Sequence, residues 1–349
     1  MTKDHIRWGL LSTARINERL IPAIRNSGRS KIAAVASRNP EAAKACAERW
    51  NIPTVHSSYE HLLDDPDVDV VYIPLPNALH CEWVVRTAEA GKHVLCEKPL
   101  ALTASEVDRI IQAAEENAVV VQEAAMYRFH PQTLRVRELI RQGAIGDVRF
   151  VRGTLTFTLR RKGDIRLDPK LGGGSLWDLG VYPVSFARTM LGEEPVEVSG
   201  FQVLGESNVD LTFAGQMRFP SGALAHLSCS FAAVPHTEAE LVGTKGRIYL
   251  DLPFVNRPGR TGQVTVRRSG TSEATFSDVA GGEETEVLTF ERIDAYQCQV
   301  EALEAQILDK AQAELPLSES RANVAAVTAL YESARQNRVI TIPGVTSKS

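Results

Sequence analysis

Short apolar runs alternate with helix-patterned segments through the first 125 residues of the chain. The apolar runs predict strands at residues 6–11, 31–37, 68–73, 93–96 and 119–124. Apolar positions at helical spacing predict helices between them, at residues 15–27, 40–50, 78–90 and 103–117. Strand–helix alternation of this kind predicts an α/β domain built on a doubly wound parallel sheet.

The pattern changes after residue 126. Residues 147–159 alternate apolar and polar side chains, which predicts a strand with one open face. Strand-like runs between residues 196 and 290 are separated by Pro220-Ser221-Gly222 and Thr244-Lys245-Gly246, as hairpins would be. Helices are predicted at residues 131–142, 174–191, 294–310 and 318–336, and a last strand at 339–342. These elements predict an α+β domain with a large, mostly antiparallel open sheet.

The length supports a division into two domains, which we place at residues 1–125 and 126–349. A chain of 349 residues exceeds the roughly 250 residues at which single cores stop growing. Residues 257–282 are rich in glycine, arginine, serine and threonine, which predicts a mobile loop or an exposed hairpin.

The composition of the chain limits which partners the protein is expected to bind and in which compartment it is expected to act. A net charge of −4 without a basic run argues against nucleic acid and against an anionic membrane surface. We see no signal sequence and no apolar run of about 18–20 residues that would cross a membrane. Five cysteines at wide spacings predict reduced thiols in a cytoplasmic protein, and no motif predicts a bound metal.

The turn after the first strand lies where a dinucleotide-binding chain carries Gly-x-Gly-x-x-Gly. Here Ser12, Ala14 and Asn17 replace the three glycines, so the motif by itself is weak. Ser12 and Ala14 are still small, and the following helix still offers free N–H groups to a pyrophosphate. The turn from Ser12 through Thr13, Ala14 and Arg15 to Ile16 is therefore a candidate cofactor site, with an ordinary strand–helix turn as the alternative.

The end of the second strand favours NADP over NAD. Chains that use NAD usually place an acid about 20 residues beyond the glycines, where it binds the ribose 2′-hydroxyl. This chain has Ser37 and Arg38 there, and both can bind a 2′-phosphate. The alternative is that Arg38 is a solvated loop residue.

Two clusters carry candidate catalytic chemistry. Lys98, in Glu97-Lys98-Pro99, lies at the C-terminal end of a predicted parallel strand, where open α/β sheets bind ligands. Pro99 is a candidate for a cis peptide bond that would fix the direction of the lysine. Asp178 and Tyr182 follow three glycines and, four residues apart on a helix, would share one face. Tyr182 could take a hydroxyl proton if Lys98 supplies the nearby cation. The alternatives are a plain turn at Lys98, a core role for Tyr182, and a capping or solvated Asp178.

Taken together, these motifs resemble the glucose–fructose oxidoreductase/inositol dehydrogenase/rhizopine catabolism (Gfo/Idh/MocA) family. The resemblance runs over nearly the whole chain, in the segments 7–14, 36–38, 72–80, 91–99, 123–131 and 172–182. The substituted Ser-Thr-Ala turn is most similar to the branch that holds NADP-dependent D-xylose dehydrogenases and dimeric dihydrodiol dehydrogenases.

The resemblance implies a fold and a set of roles. It implies a Rossmann domain followed by a domain whose open sheet forms a dimer face, and hence a homodimer or a dimer of dimers. Lys98 would be the catalytic lysine, Tyr182 the proton acceptor and Asp178 the residue that orients the substrate. Further cofactor contacts would come from Pro74, Leu75, Asn77, His80, Glu97 and Arg128. We expect substrate specificity to reside around Phe129, Phe157, Arg166 and Trp177.

The sequence therefore predicts an NADP-dependent enzyme that transfers hydride between nicotinamide and a sugar or polyol, such as D-xylose or D-glucose oxidised to the lactone. Four alternatives stay open. They are reduction of a keto-sugar or dicarbonyl, an aldose–aldose oxidoreductase that retains its cofactor, a non-catalytic NADP-binding regulator, and a sugar lyase that uses NAD transiently.

Overall fold

A computed structural model describes residues 5–161, 163–254, 262–269, 283–290 and 293–344. The chain forms two compact units. Unit 1 comprises residues 1–129, 170–172 and 294–324, and unit 2 comprises residues 130–169, 173–293 and 325–349. Of residues 257–282, predicted to be a mobile loop or an exposed hairpin, residues 262–269 form a strand that pairs antiparallel with residues 283–290, and the rest of that prediction lies outside the described residues.

Unit 1 is built on a parallel sheet. Its strands and helices alternate in the order β1 (Ile6–Leu11), α1 (Asn17–Asn26), β2 (Ser30–Ala36), α2 (Pro40–Trp50), β3 (Thr54–His56), α3 (Tyr59–Leu63), β4 (Val70–Ile73), α4 (His80–Glu89), β5 (His93–Glu97), α5 (Ala104–Glu116) and β6 (Val121–Ala124). The strand order is β3-β2-β1-β4-β5-β6, which confirms the doubly wound sheet. All strands of this sheet run parallel, but successive strands are added on one side of β1 up to β3 and on the other side from β4 onward, so the strand order reverses between β1 and β4. The C-terminal ends of such strands form the ligand-binding edge.

Unit 2 contains a larger sheet. In chain order its elements are α6 (Pro131–Arg141), β7 (Val148–Thr158), α7 (Val181–Leu191), β8 (Glu197–Leu204), β9 (Asp210–Arg218), β10 (Leu224–Ser230), β11 (Ala232–Gly243), β12 (Gly246–Leu250), β13 (Gly262–Ser269), β14 (Glu283–Phe290) and, after two helices, β15 (Ile340–Thr341). The strand order is β14-β13-β12-β11-β7-β10-β9-β8-β15, and among the described pairs only β7 with β10 is parallel. The prediction of a mostly antiparallel sheet is confirmed.

The two intervening helices are α8 (Ala295–Leu308) and α9 (Leu317–Gln336). The sequence-based division at residue 125 assigned both helices to the second domain, whereas unit 1 takes up residues 294–324. The reason is apolar packing. Val300 and Leu303 of α8 are completely buried in the same core cluster as Trp8 of β1 and Leu20 of α1.

Local signals explain where several elements begin. Asn39 accepts a hydrogen bond from the backbone N–H of Ala42 and Pro40 follows it, so α2 starts with a capped first turn. Thr103 and Glu106 form the predicted capping box of α5. No helix among the described residues is long and apolar enough to cross a membrane.

Candidate functional site

The turn between β1 and α1 is shaped by the residues that replace the usual glycines. Ser12 has a φ of +132°, a conformation that glycine adopts far more easily than serine. The side chain of Asn17 donates to the carbonyl oxygen of Ser12 at 2.8 Å, and Ser12 Oγ accepts from the N–H of Ala14 at 3.2 Å. Within the described residues no hydrogen bond occupies the N–H groups of Thr13, Arg15 or Ile16. The turn therefore presents backbone donors at a helix N-terminus, as a dinucleotide pyrophosphate requires.

Ser37 and Arg38 follow β2 directly. Ser37 is buried, and its Oγ accepts from the N–H of Asn39 at 3.2 Å. Arg38 is exposed and lies beside the hydroxyl of Tyr59. Burial raises the pKa of Tyr59, and the charge and hydrogen bond of Arg38 oppose that rise. This end of the strand thus offers a hydroxyl and a guanidinium without a carboxylate.

The loop after β4 is held by two of its own predicted cofactor residues. Asn77 Nδ2 donates to the carbonyl oxygen of Gly172 at 2.8 Å. His80 is completely buried, with Nδ1 2.7 Å from the carbonyl oxygen of Pro99 and Nε2 2.8 Å from that of Leu75. The His80 ring therefore links the loop that follows β4, where Pro74 and Leu75 lie, to the loop that follows β5.

Lys98 lies in the loop that follows β5, and the Lys98–Pro99 peptide bond is cis. The residues on both sides of Lys98 are anchored. Tyr72 Oη donates to Glu97 Oε1 at 2.6 Å, and the N–H of Leu100 donates to Glu123 Oε1 at 3.0 Å. Lys98 itself is half-buried. Arg128 and Phe129, also predicted site residues, are buried in unit 1, and Arg128 Nη1 lies 3.7 Å from Glu319 Oε2.

In unit 2 the glycine-rich segment leads into a π-helical turn, Leu176–Gly180, which continues as α7. The prediction of one regular α-helix over 174–191 is wrong at its start. Asp178 lies in the π-helical turn and Tyr182 in the α-helix, so the α-helical argument for a shared face does not apply to them. π-Helical turns are frequent at functional sites.

Asp178 is paired with a cation that the sequence had assigned to substrate. Arg166 Nε donates to Asp178 Oδ2 at 2.7 Å, and Arg166 Nη1 lies 3.3 Å from Asp164 Oδ1. The charge of Asp178 is the largest cause of the raised pKa of Arg166. A carboxylate held in this way can accept a hydrogen bond from a hydroxyl group.

The other predicted residues of unit 2 lie against aromatic side chains. Tyr182 is buried, and its ring centroid is 5.9 Å from that of Phe254. Phe157 contacts Phe231 at 5.4 Å, and Trp177 contacts Tyr331 at 5.6 Å, both between ring centroids.

Asp210 is a residue of this region that sequence reasoning missed. It is 2% exposed and accepts from Ser175 Oγ at 2.6 Å, the N–H of Leu176 at 2.8 Å and Tyr331 Oη at 2.6 Å. Burial raises its pKa, and these hydrogen bonds oppose the rise. An isolated aspartate at the start of a strand, 121 positions from its tyrosine partner, leaves no local sequence signal.

The predicted site residues divide between the two units. Unit 1 holds Lys98, Phe129 and all the residues predicted to bind the cofactor, whereas unit 2 holds Asp178, Tyr182, Phe157, Arg166 and Trp177. Within the part of the chain that the structure describes, no group of three His, Cys, Asp or Glu side chains could hold a metal ion.

Comparison with known families gives matches in both halves of the chain. A family model described as an oxidoreductase family with an NAD-binding Rossmann fold matches residues 6–125. The model of the Gfo/Idh/MocA C-terminal domain matches residues 133–249.

Individual proteins are similar over almost their full length. The D-xylose 1-dehydrogenase (NADP(+)) 2 of Haloferax volcanii is 36% identical over 95% of this chain and 98% of that protein. A 3-ketoreductase from Actinomadura kijaniata, solved in complex with NADP and TDP-benzene, is 27% identical with a TM-score of 0.86, covering 94% of this chain and 98% of that one. An aldose–aldose oxidoreductase from Caulobacter crescentus, solved with glycerol, is 27% identical with a TM-score of 0.85, covering 97% and 99%.

Proposed function

Because the chain belongs to the Gfo/Idh/MocA oxidoreductase family, we propose that it is an NADP-dependent dehydrogenase of a sugar or polyol, similar to an aldose 1-dehydrogenase. The observation that carries the cofactor choice is the end of β2, where Ser37 and Arg38 stand without an acid. The name of the Haloferax volcanii relative, an NADP(+) enzyme that acts on D-xylose, agrees with this choice.

The described residues fit NADP. The backbone amides of Thr13, Arg15 and Ile16 would bind the pyrophosphate at the N-terminus of α1. Ser37 and Arg38 would bind the 2′-phosphate, which an acidic residue would repel. Pro74, Leu75, Asn77, His80, Glu97 and Arg128 complete the proposed cofactor set, with His80 acting from the interior through the two loops that it links.

The proposed chemistry assigns one task to each of three side chains. Bound NADP⁺ would accept the hydride from the substrate carbon. Tyr182 takes the hydroxyl proton. Since the ordinary pKa of tyrosine is about 10, a cation must stabilise its anion, and Lys98 is assigned that task. Asp178, held by Arg166, accepts a hydrogen bond from the substrate hydroxyl and fixes its orientation.

The experiment is steady-state kinetics on a panel of pentoses, hexoses and diols with NADP⁺ and NAD⁺. We expect Arg38→Ala to raise KM for NADP⁺ about 10- to 100-fold, the loss of one charge-assisted interaction, and to leave KM for NAD⁺ unchanged. Tyr182→Phe and Lys98→Ala should lower kcat by about 100-fold or more. Tyr249→Phe and Lys245→Ala, at exposed positions, are matched controls. Near wild-type turnover in Tyr182→Phe would refute the assignment of the proton acceptor.

Reduction of a carbonyl sugar is the second candidate, because the Actinomadura kijaniata neighbour is a 3-ketoreductase. Comparing NADP⁺ plus aldoses with NADPH plus carbonyl sugars separates the two directions. The Caulobacter crescentus neighbour raises the third candidate, an aldose–aldose oxidoreductase. Cofactor that stays with the protein through gel filtration would favour that candidate.

The proposal includes a homodimer or a dimer of dimers through the sheet of unit 2. Phe201 and Val203 of β8 are 72% and 62% exposed, and Val287 of β14 is 52% exposed. Apolar side chains this exposed on a sheet are typical of a surface that another protein covers.

A further inference from the structure

The start of the segment that carries Asp178 is fixed by a buried carboxylate rather than by its own sequence. Asp210, the first residue of β9, uses Oδ2 to bind both Ser175 Oγ and the N–H of Leu176. Ser175 has helical dihedrals but its side chain makes no capping bond to the helix. Asp210 therefore supplies from a neighbouring strand the acceptor that a helix start ordinarily finds locally.

The other oxygen of the same carboxylate accepts a hydrogen bond from a tyrosine of α9. Asp210 Oδ1 accepts from Tyr331 Oη at 2.6 Å. The Tyr331 ring lies against the ring of Trp177, one residue before Asp178, and against Phe213 at 5.7 Å. One carboxylate is thus bonded to the backbone two residues before Asp178 and to the aromatic ring that supports Trp177.

Gly174 shows that the backbone is shaped to permit this approach. Its φ is +130°, and a Cβ atom built there would collide with Asp210 Oδ1 and with Tyr331 Oη. Glycine is therefore required at position 174 because any side chain would collide with Asp210 and Tyr331, whether or not a ligand also approaches the segment.

We propose that Asp210 is a positioning residue, which together with Ser175 and Tyr331 sets the orientation of Asp178 and Trp177 toward the substrate. This inference rests on the proposed function, because it assigns the orientation of a segment whose chemistry is itself proposed. Asp210 touches no reacting group. It acts through the π-helical turn Leu176–Gly180 and through the Tyr331 ring.

The test compares Asp210→Ala, Asp210→Asn and Tyr331→Phe in the full-length protein. Ser333→Ala is the matched control, because Ser333 is also buried and lies on α9, where its Oγ accepts from the N–H of Gly200 and donates to the carbonyl oxygen of Arg338. The measurements are kcat per folded site, the primary deuterium isotope effect with a carbon-deuterated substrate, the Kd for NADP⁺, and a crystal structure of Asp210→Ala.

We expect Asp210→Ala to lower kcat about 100-fold, the effect of an ångström-scale displacement, and to raise the isotope effect. Asp210→Asn should recover most of the loss, since its carbonyl oxygen still accepts from Leu176. Tyr331→Phe, which keeps the ring, should lower kcat about tenfold and remains informative if Asp210→Ala does not fold. Ser333→Ala should lower Tm without changing kcat, and Kd for NADP⁺ should stay within about twofold in every variant.

Wild-type kcat per folded site and an unchanged isotope effect in Asp210→Ala and Tyr331→Phe would overturn the inference, whatever their Tm. A wild-type protein without NADP-dependent turnover would refute the proposed function instead. The crystal structure still decides the inference in that case. Asp178 should move so that the 2.7 Å bond to Arg166 is broken, and an unmoved Asp178 overturns the inference.

Discussion

Leu303→Ala tests whether α8 is a structural part of the cofactor-binding unit. Leu303 is completely buried in the cluster that contains Trp8 and Leu20, although nearly 300 residues separate it from them in the chain. The substitution removes three carbon atoms, about 2.4 kcal/mol of transfer free energy at about 0.8 kcal/mol per methylene group. With the cavity that remains, we expect a loss of about 3–4 kcal/mol.

The loss should be local, and hydrogen exchange measured by mass spectrometry can locate it. A free energy of 3–4 kcal/mol corresponds to an increase of roughly 100-fold or more in the opening of unit 1, so amides of β1 and β4 should exchange that much faster. Leu330→Ala is the matched control. Leu330 is as buried, lies on the part of α9 that belongs to unit 2 and packs over Gly215 of β9, so its loss should accelerate exchange in β8 and β9 instead.

Two results would refute this reasoning. The first is unchanged protection of the β1 and β4 amides from hydrogen exchange in Leu303→Ala, because it would mean that Leu303 is not buried in the core of these strands. The second is an equal acceleration in the strands of both units by either variant, which would show that the two units open together.

Three further predictions concern other parts of the fold. Burial lowers the pKa of His130 from 6.5 to about 4, so the folded state disfavours protonation of this side chain. The stability that the neutral side chain contributes to the folded state is complete above pH 6.5 and is lost as the pH falls towards 4. In denaturant titrations, the free energy of unfolding of the wild-type protein should fall by about 3 kcal/mol more between pH 7 and pH 4 than that of His130→Asn. An equal fall in the two proteins would contradict this prediction. Gly174→Ala should lower the free energy of unfolding by about 3 kcal/mol and Gly28→Ala by about 1 kcal/mol. Both glycines have a positive φ, but only at Gly174 would the added Cβ atom also collide with Asp210. Equal losses of Tm in the two variants would exclude that collision. If the proposed dimer forms through this sheet face, Phe201→Glu should sediment as a folded monomer, whereas wild-type sedimentation as a dimer in this variant would exclude Phe201 from the proposed contact.

The parts of the fold that the sequence predicted are those decided by neighbouring residues. The apolar run at 68–73 became β4, Val70–Ile73, with every residue buried. The capping box at Thr103 sets the start of α5, and the alternation in 147–159 became β7. Hydrophobic period and capping act within a few residues, so they can be read along a single chain. The resemblance to the Gfo/Idh/MocA family is confirmed by the family models.

The contacts that could not be predicted join distant residues. Arg166 and Asp178 lie 12 positions apart across an irregular glycine-rich segment, and Asp210 meets Tyr331 across 121 positions. The positive φ of Ser12 is likewise set by its surroundings rather than by serine itself. In each case the geometry depends on tertiary structure that no local pattern encodes.

The position of α8 near the end of the chain also determines when the core of unit 1 can form during synthesis. Translation delivers the strands of unit 1 first, but the helix that completes their core ends at residue 308, after the whole segment 130–293 has been synthesised. At 5–20 residues per second, the interval between residues 129 and 308 is roughly 10–40 s. During that interval the apolar surface around Trp8 and Leu20 is not yet covered by α8. The nascent chain is then prone to aggregate and can be bound by chaperones.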